Sequence, residues 1–285
     1  MPELPEVETI KNGLQKKIVG LTFKNIQILN SKSFQGDESK VKGKKVVNLW
    51  RRAKMLGVDL TDDLTLLFHL KMTGQLIYIA KSGEEVMGGH PTENMLGKMP
   101  NKDTRVIFNF TDGSALYFND QIKFGWIKLL QTSKIREQKE IQNLGPEPLE
   151  KSFTWQILKE SLMKRSRMPI KVAIMDQSLI SGVGNIYASE ALFLARIDPR
   201  RAIKTLSNDE FKKLHKGIVE SLEESIKHGG STIKNYVDSE GKKGEFIKFA
   251  NVYGRTGQSC KGCKGEVQKI TQAGRGTYFC PSCQH

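Results

Sequence analysis

Apolar residues recur at spacings of three and four across residues 6–19, where Val7, Ile10, Leu14 and Ile18 share one face and Gly20 supplies a stop. That period predicts an amphipathic helix. Beyond Gly20 the period shortens. Residues 23–28, 45–49, 55–60, 64–70 and 75–79 are short apolar or alternating runs, and 105–110 and 115–118 flank Asp112-Gly113, a hairpin turn signal. At least seven short strands before residue 130 predict a β-sandwich or barrel. The glycine- and charge-rich stretch 81–102 reads as a surface loop.

The polar run 131–150 closes in Gly145-Pro146-Glu147-Pro148 and reads as a linker between domains. Helical periodicity takes over at 153–163, 169–175, 185–196 and 209–227, with Ser181-Gly182-Val183-Gly184-Asn185 as a tight glycine turn between two of these segments. Residues 229–244 read as a long loop of the kind that carries function or disorder. The expected organisation is a β-sandwich domain over 1–130, a linker over 131–150, a helical domain with its loop over 151–244, and a C-terminal module over 245–285.

Composition narrows the function classes. The 285 residues have no run of 18 apolar positions, and no basic stretch followed by an apolar segment opens the chain, so the expectation is a cytoplasmic protein with no membrane partner. There are 45 Lys and Arg against 31 Asp and Glu, a net charge of +14. Residues 1–150 carry 22 basic and 18 acidic side chains, and 151–285 carry 23 and 13, so the excess lies mainly in the second half. A polyanion such as nucleic acid is the expected partner.

All four cysteines fall near the C-terminus as Cys260-x2-Cys263-x16-Cys280-x2-Cys283. Two CxxC knuckles at this separation match one structural zinc ion held by four thiolates, with no open coordination position for catalysis. Two disulfides are the alternative, which a reducing compartment disfavours. Residues 266–270 and 277–279 read as hairpin strands, with Gly274-Arg275-Gly276 at the tip offering a guanidinium to a phosphate or a groove.

The other end of the chain carries nucleophile chemistry. In Met1-Pro2-Glu3-Leu4-Pro5-Glu6 the small second residue favours removal of Met1, which would leave a secondary amine. An α-amino group titrates near ~8 against ~10.4 for lysine, so about a tenth is neutral at pH 7. Such an amine can attack a sugar carbon and become an iminium ion without a cofactor. Glu3 and Glu6 supply a neighbouring acid or base. The same residues could equally be a proline-rich helix start with acids facing its dipole.

Several motifs in one order resemble the formamidopyrimidine-DNA glycosylase family across nearly the whole chain. They are Pro2-Glu3-Leu4-Pro5-Glu6-Val7-Glu8-Thr9, Arg52-Ala53-Lys54, His69-Leu70-Lys71-Met72-Thr73-Gly74, Lys123-Phe124-Gly125, Gly182-Val183-Gly184-Asn185-Ile186-Tyr187-Ala188, Tyr253-Gly254-Arg255 and the four cysteines. The resemblance implies a multidomain α+β fold: an N-terminal β-sandwich flanked by helices, a helix-two-turns-helix module and a zinc ribbon. It implies a monomeric, nucleoid-associated base-excision repair enzyme that binds damaged double-stranded DNA between two lobes. Flipped oxidised purines would be removed and the strand cut by β,δ-elimination.

By the same resemblance Pro2 is the nucleophile, Glu3 the proton donor and Glu6 a supporting carboxylate. Lys54 assists β-elimination and Arg275 δ-elimination. His69, Asn185 and Tyr253 match phosphate contacts, Arg167 lies in a basic DNA-contacting segment, and Met72, Ile122, Lys123 and Phe124 also face DNA. Ser231, Thr232, Ile233, Lys234, Asn235 and Tyr236 fall where the family covers the flipped base.

Two positions depart from the family pattern. Ile122 stands where relatives commonly place an arginine that contacts the partner base, and Asp103 where they often carry a DNA-contacting histidine; a carboxylate there is expected to repel phosphate. An endonuclease VIII-like enzyme for oxidised pyrimidines is the nearest rival, disfavoured by Leu4. A non-catalytic zinc-ribbon DNA-binding protein is the rival from another class.

Overall fold

The computed structural model describes residues 1–90, 97–230 and 246–285. The chain forms two compact units. The first is built from Met1–Gln142 and takes up the chain again at Gly229; the second is built from Asn143–His228 and the segment ending at His285.

In the first unit α1 (Leu4–Ile18) precedes ten strands: β1 (Phe23–Ile28), β2 (Phe34–Gln35), β3 (Val46–Arg52), β4 (Met55–Leu60), β5 (Leu64–His69), β6 (Gly74–Ile79), β7 (Glu85–Gly89), β8 (Thr104–Phe110), β9 (Ala115–Asp120) and β10 (Trp126–Gln131). The short α2 (Lys139–Gln142) follows. The strands form two five-stranded sheets, ordered β1-β8-β9-β6-β7 and β2-β10-β5-β4-β3. Inward residues of both sheets share one core: Phe23, Leu76, Val106, Phe108 and Phe118 from the first, and Leu49, Leu56, Val58, Leu66 and Phe68 from the second. Val7, Ile10, Leu14 and Ile18 of α1 join that core. Each such side chain contributes about 1.5–3 kcal/mol on burial, which fixes the helix to the sandwich.

Three strands escape the alternation rule. β7 lies inside the expected loop 81–102; among the described residues it is an edge strand paired with β6 alone, and its last two residues, Gly88 and Gly89, have no side chain to show a period. β2 has two residues, too few for a pattern. β10 buries Ile127 in the core, but its run Trp126-Ile127-Lys128-Leu129-Leu130 does not alternate cleanly. Across the β3–β4 ladder Trp50 lies over Gly57, where a Cβ would come within 2.1 Å of the indole.

The second unit is helical: α3 (Trp155–Met163), α4 (Ile170–Ile174), α5 (Asn185–Ala195), α6 (Asn208–Lys227) and the short α7 (Phe246–Phe249). α5 is buried along most of its length, as expected of a central helix. It packs on α6, where Gly217 is needed because a Cβ there would lie 2.6 Å from the Ala191 carbonyl oxygen. α6 opens with a reciprocal cap: Ser207 Oγ accepts from the Glu210 N–H at 3.2 Å, and Glu210 accepts from the Ser207 N–H at 2.7 Å. Among the described residues no helix is long and apolar enough to cross a membrane.

The chain ends in the hairpin β11 (Gln268–Gln272) and β12 (Arg275–Phe279). The turn is Ala273-Gly274, both at positive φ, so Arg275 opens the second strand instead of sitting at the tip. Beside the hairpin the ligand atoms of Cys260, Cys263, Cys280 and Cys283 lie within 4.8 Å of one another. The Cys260–Cys283 and Cys263–Cys280 sulfur separations are 3.7 and 3.6 Å. A disulfide needs about 2.05 Å, whereas four sulfurs at ~2.3 Å around a tetrahedral zinc lie about 3.8 Å apart. The N–H groups of Gly262 and Gly265 donate to the sulfurs of Cys260 and Cys263, which suits thiolates. The donor set fits one structural zinc.

Among the described residues the other apolar support of this cluster is small, comprising Phe193, Val252 and Val267 with partly buried Tyr278. Metal removal is therefore expected to unfold β11 and β12 while the sandwich persists. Elemental analysis should give one zinc per chain, and amide spectra after chelation should lose the hairpin signals and keep those of β4 and β5. An intact hairpin in zinc-free protein would refute the metal's structural role.

Candidate functional site

The candidate residues fall into two sets, one on each unit. In the first unit Pro2 and Glu3 lead directly into α1 and are buried together with Glu6. Glu3 is the extended residue before the helix, and its backbone N–H donates to Glu6 Oε2 at 2.8 Å. Glu6 thus satisfies one of the free amides at the helix start and fixes the direction in which the terminus leaves the helix. At Gly230 (φ +90°) a Cβ would sit 3.4 Å from Glu6 Oε1, so the chain passes close to this carboxylate just before Ser231. Residues 231–236, the expected base-covering loop, lie outside the described residues.

One helical turn along, Glu8 accepts from Arg51 Nε at 2.7 Å and from Lys11 Nζ at 2.6 Å. Burial opposes its charge, but these two hydrogen bonds and the two cations outweigh that and hold its carboxyl below the usual range. The Arg51 guanidinium also donates to the Ala53 carbonyl at 3.1 Å. Ala53 and Lys54 form the tight β3–β4 turn, with Ala53 at φ 52° and Lys54 buried. The Arg51–Glu8 ion pair thereby links the terminal helix to the turn that carries Lys54.

His69 ends β5 opposite Met55. Burial first, then the charges of Lys71 and Lys54, hold its imidazole at about 3. It is neutral at pH 7. Its Nδ1 accepts from the Lys71 N–H at 3.0 Å, which leaves the ring proton on Nε2 as a donor.

Two adjacent loops carry exposed apolar side chains: Met72 at 39% exposure, Ile122 at 42% and Phe124 at 66%. They are locked to each other through the buried Asp120. One carboxylate oxygen of Asp120 accepts from the Thr73 hydroxyl and the other from the Gly125 N–H at 2.6 Å. The Ile122 N–H donates to Thr73 Oγ1 at 3.1 Å, and Lys123 takes a positive φ of 61° at the bend. Asp103 departs from its expected effect. It is buried with Arg105 3.8 Å away, so its charge is compensated inside the unit instead of being presented to a phosphate.

In the second unit Asn185 is the first residue of α5, after Gly182 at φ 83°. The fully buried Lys171 donates to Asn185 Oδ1 at 2.6 Å, and Asn185 Nδ2 donates to the Gly276 carbonyl at 3.0 Å. Asn185 therefore ties the glycine turn to the strand that begins at exposed Arg275. Tyr253 packs against Tyr278 of β12 with ring centroids 4.8 Å apart. Arg167 is exposed in the segment between α3 and α4.

Lys171, Glu190 and Asp120 bear on the site without a sequence signal that singles them out. Glu190, on α5, is the strongest case: its carboxylate accepts from the N–H groups of Asn251, Val252 and Tyr253 at 2.8–3.0 Å, and from the Asn251 side chain. It orients Tyr253. An acid six residues into an apolar helix is the only trace of this in the sequence, and many solvated acids look the same.

These features recur along the length of known proteins. Residues 1–127 match the formamidopyrimidine-DNA glycosylase N-terminal domain, 144–237 its H2TH domain, and 257–285 a zinc finger found in FPG and IleRS. The formamidopyrimidine-DNA glycosylase of Pelotomaculum thermopropionicum is 39% identical over 289 residues, covering all of this chain and 99% of the relative. That of Ligilactobacillus salivarius is 37% identical with the same coverage. The Lactococcus lactis Fpg solved with abasic-site DNA is 33% identical, with a TM-score of 0.87 and both chains fully covered. A mutant of that enzyme on DNA containing Fapy-dG gives 34% and 0.87. With every domain matched in order and identity of up to 39% over the full length, the chain belongs to the formamidopyrimidine-DNA glycosylase family.

Proposed function

We propose that this protein is a base-excision repair DNA glycosylase and abasic-site lyase that removes oxidised purines from duplex DNA through a Schiff base at Pro2. The observation that carries the reading is the buried start of α1, where Glu6 holds the Glu3 amide and so fixes the terminus in one direction. A terminal nucleophile needs such fixing, because orientation supplies much of the rate of an intramolecular attack. We read the enzyme as cytoplasmic, nucleoid-associated and monomeric, with a sandwich domain over 1–130, a linker to 150, a helical domain to 244 and the zinc finger beyond.

In this mechanism the damaged nucleotide leaves the stack, and the Pro2 nitrogen attacks C1′ as Glu3 protonates the departing base. The sugar ring opens to an iminium. Lys54, tied to α1 through Arg51 and Glu8, assists β-elimination, and Arg275 assists δ-elimination. His69 donates a neutral N–H to a phosphate, which orients the strand without adding charge, while Asn185 and Tyr253 make the matching contacts from the second unit. Met72, Ile122 and Phe124 fill the gap left by the flipped nucleotide, with Lys123 beside them. Loop residues 231–236 cover the base. Zinc, when bound, supplies folding energy and no step of the reaction.

Borohydride treatment during reaction with an 8-oxoguanine duplex is expected to give one covalent adduct, mapping by peptide mass to Pro2. Pro2→Gly should lower base excision by at least ~100-fold, in the range expected when a catalytic nucleophile or base is lost. Normal trapping by protein that retains Met1 would refute the nucleophile.

The His69 ring has a second consequence. Its folded value of about 3 lies below the ordinary 6.5, so stability derived from the neutral ring is present above ~6.5 and is lost as pH falls towards 3. Nitrogen-15 spectra should show an unprotonated Nδ1 and no titration between pH 5.5 and 8. A midpoint near 6.5 would refute the neutral-donor role.

Ile122 supplies no hydrogen bond to the partner base. A bidentate contact to the right base is worth roughly 1–3 kcal/mol of discrimination, or about ten- to a hundredfold. Excision opposite cytosine and opposite adenine is expected to differ little in the natural protein, and Ile122→Arg should widen the gap about tenfold. A strong cytosine preference unchanged by the substitution would refute it.

A further inference from the structure

The nucleophile assigned above carries a chemical difficulty. The amine titrates near ~8, so at neutral pH most of it is protonated and has no lone pair to attack with. A general base beside it would remove the difficulty, and the fold brings one there.

Lys17, near the end of α1, pairs with Glu84, just before β7, at 2.5 Å. α1 packs on β7. From this tie the helix runs back 14 residues to Glu3, about 21 Å at ~1.5 Å per residue, and the strand runs six residues forward to His90, about 20 Å at ~3.3 Å per residue. Helix and strand are packed together, matched in length and tied at one end, which sets the far end of β7 towards the start of α1.

His90 is held there by its backbone. Its N–H donates to the Gly74 carbonyl at 3.1 Å, and the Gln75 side chain donates to the His90 carbonyl. The preceding Gly89 has φ 129° and presses on β6 so closely that a Cβ would lie 2.3 Å from the Gly74 oxygen. No residue with a side chain fits that position, so Gly89 fixes where the imidazole begins. Burial first, then the positive charge of the Met1 amino group, one residue ahead of Pro2, holds this imidazole below its ordinary range, so it is a neutral acceptor at pH 7. Among the described residues, the start of α1 carries the amino terminus, Glu3 and Glu6, and the end of β6 paired with Gly89 carries Gly74 and Gln75.

We propose that His90 is a further catalytic residue, the base that accepts the proton of the terminal ammonium and frees the Pro2 nitrogen for attack. The inference rests on Pro2 as the nucleophile. The ammonium proton passes to the imidazole. The freed nitrogen lone pair forms the bond to C1′, and the glycosidic bond breaks with its electron pair leaving on the base, which Glu3 protonates. The second nitrogen proton is lost as the C1′–O4′ bond opens and the iminium forms, with O4′ taking up a proton. His90 and Glu3 therefore work on opposite sides of one transfer, one removing a proton from the nucleophile and one giving a proton to the leaving group.

The test is single-turnover borohydride trapping on a duplex with a preformed abasic site, which needs the free amine but no base loss. His90→Gln is expected to slow trapping ~10-fold or more at pH 7 and to approach the natural rate at pH 9, above the amine's own range near ~8. Added imidazole should restore His90→Ala. Thermal melting and binding to a duplex with a non-cleavable abasic analogue serve as checks that both variants fold. Trapping as fast as the natural protein at pH 7, or slowed equally at pH 7 and 9 with no imidazole rescue, would overturn the assignment. An adduct of the natural protein that maps elsewhere than Pro2 would instead overturn the nucleophile itself, and is distinguishable because it needs no variant.

Discussion

A reactive chain terminus has one covalent anchor, so its placement depends on how firmly the residues behind it are held. Here that role falls to the packing of α1 on the sandwich. Val7, Ile10, Leu14 and Ile18 enter the core shared by both sheets, Glu8 pairs with Arg51 on β3, and Lys17 pairs with Glu84 ahead of β7. The surface pairs alone would contribute little. The apolar stripe sets the position, and the polar ties at either end choose the rotation and register. Glu6 then turns a helix start into a directed terminus by accepting the Glu3 amide.

The second unit solves a different problem with the same means. Its glycine turn, the segment before the finger and the finger strand must hold a shared geometry although each is short. Two buried polar groups provide this: Lys171 holds Asn185, which holds the Gly276 carbonyl, and Glu190 gathers three consecutive amides. A buried charge without such partners is costly, so each arrangement permits only one placement of its neighbours. Gly217, pressed against the Ala191 carbonyl, brings α6 close enough to complete the unit.

The wedge-bearing loops of the first unit show how exposed function is supported from below. Met72, Ile122 and Phe124 face solvent, where apolar side chains gain nothing from folding. Asp120 and Thr73 make the loops rigid so that these side chains stay out and together. The same support explains why Asp103 does not act as an exposed repulsive charge: Arg105 compensates it within the same buried corner.

Much of this was legible in the chain. The three-four period of α1, the short apolar runs of β4, β5 and β8 and the two CxxC knuckles are local signals, each generated by residues a few positions apart, and so they can be read without the fold. The Pro2-Glu3 terminus and the four-cysteine set were equally visible. What only tertiary structure decided were pairings between distant residues: the edge strand β7 inside an apparent loop, the neutral tautomer of His69, the compensation of Asp103, and the packing of β7 on α1 that sets His90 towards the helix start. Sequence by itself fixes local period and chemistry because these depend on neighbours along the chain. Burial, charge compensation and protonation depend on neighbours in space, which packing alone chooses.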